Sequence, residues 1–517
     1  MASAALLRRI LPPLLLVVMG ALLVLSSLHK PLAYDEFDNL AYGYRFLDRG
    51  PGAPMRGQRM PILVLNALGC AAEGCRQDTI NASEAGRLKV RLATMIFALL
   101  LGALVHRWGR EVLGEAGGLA ALWLYAFNPN FLAHGNKVTS DVPAAFFTAA
   151  SLYFFWKLCR RPHAIALVPC ALATTGALLS KYTSLLLFPV FALLLFLKWL
   201  DRPREEVRPQ KSAVKTAAAA AGLVILVVLF VNAAYLFKGS FRSWADYTWE
   251  SDAFRALHVD HVPIPLPRVF IQGLDYSSYL QEHVEVGRGL NYVRGQLSTR
   301  GVWYAFPLMI LLKTPLAFFA LLGLAVAARQ EEPRPDRWTW LVWTLPFVAV
   351  VACFSLLATA QLGIRYLLPG LPTLILCGAR GVAFGATRWR RLVVIALFAW
   401  YAASTLSYHP HYVAYFNELI GRRINAYRFL ADSNLDWEDH RYFIARFQAR
   451  HPEMAIAVEP PGPRAGYVLV GANQLVGIYG PERYRWLRER FSPIGHVAYS
   501  HLLFYVPPEE LPGTGLH

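Results

Sequence analysis

The chain has 517 residues, of which 56% are hydrophobic and only 16% charged. Apolar runs near 20 residues long recur along it, which excludes a soluble globular protein and points to an all-α polytopic membrane protein. The net charge of +17 does not imply a nucleic-acid partner, because the basic residues sit mostly in short loops between apolar runs, where membrane topology accounts for them.

Residues 1–28 have the basic start and apolar run of a signal peptide. No clear small-residue cleavage site precedes the acidic stretch that follows, so the run is read as a retained first helix. Length and apolarity predict about 11 transmembrane helices, at 10–28, 88–106, 116–133, 142–158, 164–180, 184–200, 213–237, 302–328, 338–358, 366–386 and 391–407. Threaded in alternation, these put Arg8-Arg9, His106 to Arg110, Lys157 to Arg161, Lys198 to Lys215, Arg329 to Arg337 and Arg388 to Arg391 on one face. All six loops are short and basic, so that face and the N-terminus are expected to be cytoplasmic.

The opposite face receives residues 29–87, the Asn128 to Asp141 turn, the Ser180 to Ser184 turn, the segment 238–301, the 359–365 turn and the tail from Tyr408. Residues 1–407 are thus expected to form a transmembrane domain whose outer loops 29–87 and 238–301 make the active-site side. The tail, 408–517, has mixed polarity and short apolar runs at Tyr467 to Val470 and His501 to Val506. It reads as a small α/β or α+β domain outside the membrane. No internal repeat is visible, and Ala217 to Ala221 is a small-residue patch suited to close helix packing.

Six cysteines are few. Cys70 and Cys75, five apart in the first outer loop, suit a local disulfide if that face is oxidising. Cys159, Cys170, Cys353 and Cys377 fall in or beside apolar spans and read as packing residues. No zinc-ligand spacing is present, and His258, His261 and His283 of the long outer loop form no ligand-like pattern. Asn81-Ala82-Ser83 matches a glycosylation sequon on the outer face, a pattern that also occurs by chance.

The acidic stretch lies where the first apolar run stops. In a helix over 35–44, Asp35, Asp38 and Asn39 would share one face and Glu36 would turn roughly 100° away. Alternatively, these residues only decorate the first turn of an interfacial helix, where the dipole favours acids. Lys313 lies within the apolar run Phe306 to Phe319, where a lysine needs an anion such as a phosphate or a carboxylate. The other reading is a snorkelling lysine on a helix that begins later.

Lys181-Tyr182 and Arg365-Tyr366 occupy tight outer turns, where each alone would fit an interfacial anchor. Asp141 either caps the following helix or assists the acidic stretch. His134 and Lys137 are weaker candidates in the same turn. Carboxylates and cations at a lipid–water boundary suit glycosyl transfer from a polyprenyl-phosphate sugar. A carboxylate takes the proton of the attacking hydroxyl, and lysine or arginine holds the leaving phosphate.

A first outer loop opening with Asp35-Glu36 after one helix resembles the GT-C glycosyltransferases, in particular the protein O-mannosyltransferase and aminoarabinose transferase group. Further segments resemble a bacterial branch of that group: Asn128 to Gly135, Thr139 to Ala145, Lys181 to Ser184, Leu311 to Leu316, Gly363 to Pro369, Ala414 to Glu418 and Asp432 to Trp437. The resemblance implies Asp35 as catalytic base and Glu36 as a neighbour meeting the acceptor or a divalent ion. It implies Asp141 as a second acidic position, and Lys181, Lys313, Arg365 and Tyr366 at the lipid phosphate. Tyr34, Asp38, Asn39, His134 and Lys137 would be acceptor or sugar contacts.

The expected reaction inverts the anomeric carbon, with a polyprenyl-phosphate-linked sugar, a hydroxyl acceptor and the bilayer as partners, no nucleic acid, and the bacterial inner membrane as location. Some members use a divalent cation (Mg, Mn or Zn); the histidine pattern here assigns no metal ligand. Asp432 to Asp436 is too polar for packing alone and equally suits a tight Asx-type turn. A transporter or lipid-linked glycan flippase would predict discontinuous helices and inverted repeats near the midplane. A non-catalytic scaffold would leave Lys313 and Asp35-Glu36 without purpose.

Overall fold

The computed structural model describes residues 2–51, 60–161, 164–201, 209–257, 259–285, 290–328, 331–438 and 440–511. His258 and parts of the basic loops, 202–208 and 329–330, lie outside the described residues. The leucine-, valine- and phenylalanine-rich runs form helices, as residues buried in lipid must to satisfy their own backbone. In chain order these are α1 (Ala2–Ser27), α2 (Tyr34–Arg49), α3 (Glu84–Ala126), α4 (Pro129–His134), α5 (Asp141–Arg160), α6 (Ala164–Ser180), α7 (Leu187–Leu200) and α8 (Pro209–Ala234). They continue with α9 (Arg268–Glu282), α10 (Ala305–Lys313), α11 (Leu316–Ala327), α12 (Arg337–Leu357), α13 (Leu371–Ala379), α14 (Arg388–Leu406) and, in the tail, α15 (Arg441–Arg450).

Among the described residues, six helices are long and apolar enough to cross a membrane, or seven if the bent pair α10–α11 is one span. The expected count of about 11 is therefore not confirmed for this integral membrane protein, and three features account for the difference. The run at 88–106 and the first part of the run at 116–133 lie in α3, two helical stretches joined across a kink at Gly114 with φ 73°, a conformation that favours glycine, and the second run continues past Asn128 into α4. The run at 302–328 is bent by 96° between α10 and α11, where Thr314-Pro315 interrupts it. The helices at 165–180 and 371–386 are short, and α14 opens on Arg388, Arg390 and Arg391.

Five of the six basic loops meet at one end of the helices. Glu111, next to His106 to Arg110, binds Lys157 at 3.2 Å. Arg160 pairs with Asp336, Arg337 with Asp201 at 2.5 Å, and Arg390 with Glu331 at 3.6 Å. At the other end, Cys70 and Cys75 are joined by a disulfide.

From Tyr412 to Asn434 the tail is a string of 3₁₀ turns laid on the helix ends, with Tyr408, Tyr412, Val413 and Tyr415 inside the main apolar core. After α15 comes a mixed sheet. Two short ladders precede it, β1 (Arg242–Ser243) with β2 (Pro263–Ile264) and β3 (Asn291–Val293) with β4 (Gln296–Ser298). The sheet itself holds β5 (Ala457–Val458), β6 (Gly466–Gly471), β7 (Gly495–Val497) and β8 (His501–Val506) in the order β5-β6-β8-β7.

The expected apolar runs of the tail become β6 and β8, antiparallel, with Val468 opposite Phe504 and Val470 opposite Leu502. These four residues are buried with Leu475, Tyr484 and Leu487. Leu469 and Leu503 are buried on the other face with Ile456 and Val497, as a period of two dictates for a sheet covered on both sides.

Candidate active site

The acidic stretch forms the first turn of α2, but its three carboxylates have different surroundings. Glu36 is fully buried in an ion pair with Arg91 of α3 at 2.9 Å. Its oxygens also accept from the Ala33 and Val138 backbone N–H groups at 3.0 and 2.9 Å. Burial would raise this carboxyl, but Arg91 holds it below the usual range. Glu36 therefore does not meet an acceptor or an ion. It clasps α2 to α3 and to the turn before α5, because a carboxylate in a dry site needs every lone pair satisfied. Arg91, an arginine inside an apolar run, was a signal in its own right.

Asp35, one residue earlier, stands 46% exposed and 3.7 Å from the Arg365 guanidinium. Trp437 donates its indole N–H to the same carboxylate at 3.1 Å, and Arg365 lies over the Trp437 ring at 4.5 Å. Tyr34 is exposed, whereas Asn39 donates to the Val138 carbonyl at 2.8 Å. Asp38 stands one turn along α2, on the side Asp35 occupies.

The turn that carries Arg365 is set by the tail motif. Gly363 adopts φ 112°, and a Cβ there would come within 2.6 Å of Ser433 Oγ, so only glycine fits. Ser433 donates to the Leu362 carbonyl, and Asn434 Oδ1 accepts from Ile364 N–H at 3.0 Å. The Asp432–Asn434 segment is itself a 3₁₀ turn. Next door, Lys181 pairs with Asp141 at 2.5 Å and sits 4.5 Å over the Tyr366 ring. Asp141 is the first residue of α5, where the dipole suits it. Lys181, Arg365, Tyr366, Asp35 and Asp141 are thus gathered on one side of the protein.

Lys313 is not with them. Its ammonium is buried and donates to the carbonyls of Val413 at 2.7 Å and Asn434 at 2.5 Å, with Phe416 4.5 Å away. The lysine meets carbonyl dipoles in place of the expected phosphate. The same break is closed by two asparagines. Asn417 bonds the carbonyls of Leu311, Leu312 and Thr314, and Asn130 that of Lys313. The ends of α10 would otherwise leave these acceptors orphaned.

A cavity of about 800 Å³ opens beside Asp35 and Arg365, walled further by Asp432, Asp436, Trp437, Glu438, His440 and Glu459. Burial pushes the Asp432 carboxyl up to about 6, with Arg365 opposing the rise and Asp35 adding to it. Burial and Glu459 push Asp436 up to about 8. Beneath lies a dry network in which Glu438 binds Lys30 and Lys137, each at 2.8 Å. Burial would raise the Glu438 carboxyl, but the two ammoniums hold it well below its usual range.

Lys137 is thereby committed to Glu438, and His134 is buried 5.5 Å from the Trp437 ring; neither reaches a sugar. Burial pulls His134 down to about 3, so its ring is neutral. His411, Glu438 and His440 form a group that could hold a metal ion. Lys30, Glu438, His411 and His440 had no local signal in the sequence, since it is the chain's return to the helix ends that assembles them.

Residues 82–235 match the family model of dolichyl-phosphate-mannose-protein mannosyltransferases, and this match bears out the resemblance to the GT-C membrane glycosyltransferases. No curated protein sequence matches the chain. Among solved structures it is similar to ArnT from Cupriavidus metallidurans bound to undecaprenyl phosphate, with 14% identity, 95% of this chain and 97% of that one covered, and a TM-score of 0.47. It is also similar to the Archaeoglobus fulgidus oligosaccharyltransferase AglB in complex with an inhibitory peptide and a dolichol-phosphate (15% identity, 77% and 56% covered, TM-score 0.45). An Archaeoglobus fulgidus oligosaccharyltransferase complex with Zn and sulfate gives 12% identity, 97% and 74% covered, and a TM-score of 0.48. Likeness at these values specifies no correspondence between residues.

Proposed function

We propose that this protein is an inverting glycosyltransferase that moves a sugar from a polyprenyl-phosphate donor to a hydroxyl acceptor. The observation that carries the reading is Asp35, half-exposed and 3.7 Å from Arg365, both in the wall of a cavity of about 800 Å³ that Asp432, Asp436 and Glu438 also line. In the proposed step Asp35 accepts the proton of the acceptor hydroxyl. The acceptor oxygen bonds to the anomeric carbon from the face opposite the phosphate, and the bond from that carbon to the phosphate oxygen breaks. The electron pair leaves with the polyprenyl phosphate, whose growing charge Arg365 and Lys181 stabilise. The acceptor is a lipid, a glycan or a protein.

Arg365 brings a planar, permanently charged fork suited to a phosphate, and Lys181 a second cation close by. Asp141 holds Lys181 in place. Beside Tyr366 stand the apolar residues Leu186, Leu187, Val190, Pro346 and Phe354, a setting compatible with a neighbouring hydrocarbon chain. In this reading the clustered basic loops are cytoplasmic, the site faces outward, the membrane is a bacterial inner membrane, and residues 408–517 form an outer domain. No step here is routed through a metal.

The bent pair α10–α11 is a discontinuous helix of the kind a transporter uses. Its freed carbonyls are capped by Asn417 and Asn130, which favours the transferase. The deciding experiment places purified protein in nanodiscs with a panel of polyprenyl-phosphate and nucleotide-linked sugars, comparing wild type with Asp35→Asn and Arg365→Ala. Release of polyprenyl phosphate by wild type alone is expected. Turnover with nucleotide sugars only would contradict the outward-facing site.

A further inference from the structure

We infer that His411, Glu438 and His440 form a zinc site in the wall of the cavity. One nitrogen from each ring and one Glu438 oxygen all lie within 4.8 Å of one another. Two segments of the tail supply them. His411 ends the turn that follows α14, and Glu438 and His440, two residues apart, lie between the Asp432–Asn434 turn and α15. Only the folded tail brings the first within reach of the other two, so no short ligand spacing marks the site in the sequence.

Two observations separate this group from an ordinary polar cluster. Both His411 and His440 are buried, and each leaves its Nδ1 buried without a hydrogen-bond partner. Buried polar atoms are nearly always paired, and a metal ion is a partner that satisfies an unpaired imidazole nitrogen.

The donor set decides the ion. Two imidazoles and one carboxylate match a three-ligand zinc site with a fourth position open, whereas magnesium and calcium favour all-oxygen shells. Glu438 and His440 line the cavity, so an ion held by the three residues would lie next to it, where it could polarise a water or a substrate oxygen.

The charges around the site set its strength. Lys30 and Lys137 each hold one oxygen of Glu438 at 2.8 Å, and they oppose a cation. A carboxylate offers about four lone-pair positions, so two stay available beside the two ammoniums. The His501 ring, 5.4 Å from His440, completes the polar wall. The lysines serve as outer partners that orient Glu438, as such partners do around metal ligands. An ion here would tie the α14 exit to α15 and, through Glu438, to the outer ends of α1 and α4.

The test uses full-length, tag-free protein in detergent, stripped with a chelator and dialysed against Zn²⁺. About one zinc per chain is expected, not competed by Mg²⁺ in excess. His411→Gln and His440→Gln should each weaken zinc binding by more than about 100-fold, beyond the cost of losing an outer hydrogen-bond partner. Wild type that binds no zinc overturns the inference. So do histidine variants that stay monodisperse and bind zinc as wild type does. Should the variants fail to fold, zinc-edge X-ray absorption of the loaded wild type decides. Two imidazole ligands support the site, and a spectrum with fewer refutes it. Every readout is metal content or ligation, so the result stands apart from whether transfer is detected.

Discussion

Removing Arg91 tests whether Glu36 is a clasp or a site residue. Glu36 accepts four hydrogen bonds in a fully buried position, two of them from Arg91 at 3.0 and 2.9 Å. Arg91 also donates to the carbonyls of Ser27, Lys30 and Pro31 at 3.4, 3.1 and 3.2 Å. Arg91→Ala strands a buried carboxylate, at a cost of about 3–5 kcal/mol, and orphans three carbonyls besides. In a chain of this length 1 kcal/mol shifts the melting temperature by about 1 °C, so it should fall by roughly 3–5 °C.

Thermal gel filtration in detergent measures this shift. Glu36→Gln should lose comparable stability, and the double variant Glu36→Gln/Arg91→Met should recover part of it, because the unpaired charge is gone from both sides. Wild-type melting of Arg91→Ala would refute the clasp. Glu36→Gln that melts normally yet loses all transfer would return Glu36 to the acceptor.

Three further outcomes are expected. Asp35→Asn should slow transfer by about 10²–10⁴-fold, the usual worth of a general base, while donor binding measured by quenching of a labelled polyprenyl phosphate stays near wild type. Retained turnover at normal expression would exclude Asp35 as base. Arg365→Ala should weaken both donor binding and rate, the rate by about 10²–10³-fold, with Arg365→Lys intermediate; equal loss in both variants would argue that the forked geometry, not the charge, is required.

Asp432 is neutral below about pH 6 and ionises as pH rises through that value. It then adds negative charge beside Arg365, so donor binding should weaken between pH 5 and pH 7, a range of about one unit either side of that pKa. The trend should vanish in Asp432→Asn, and a pH dependence identical in that variant would assign it elsewhere.

The sequence alone determined what depends on neighbours a few residues away. Apolar runs became helices because a chain in lipid has no other way to satisfy its backbone, and alternating apolar runs in the tail became β6 and β8. The acidic stretch was legible as the first turn of a helix, and Arg365-Tyr366 and Lys181 as residues of outer turns. Which charge meets which was not legible. Glu36 and Asp35 are adjacent on α2, yet one binds Arg91, 55 residues away, and the other receives Trp437, 402 residues away.

Lys313 carried the right signal, a cation in an apolar run, but its partners are the backbone carbonyls of residues 100 and 121 positions along the chain. Helical and strand periodicity is a local property, readable in a window of a dozen residues. Ion pairs, the bend at Thr314-Pro315 and the His411–Glu438–His440 group depend on where the tail returns to the helix ends. That return is set by burial summed over the whole fold, and only the tertiary structure decides it.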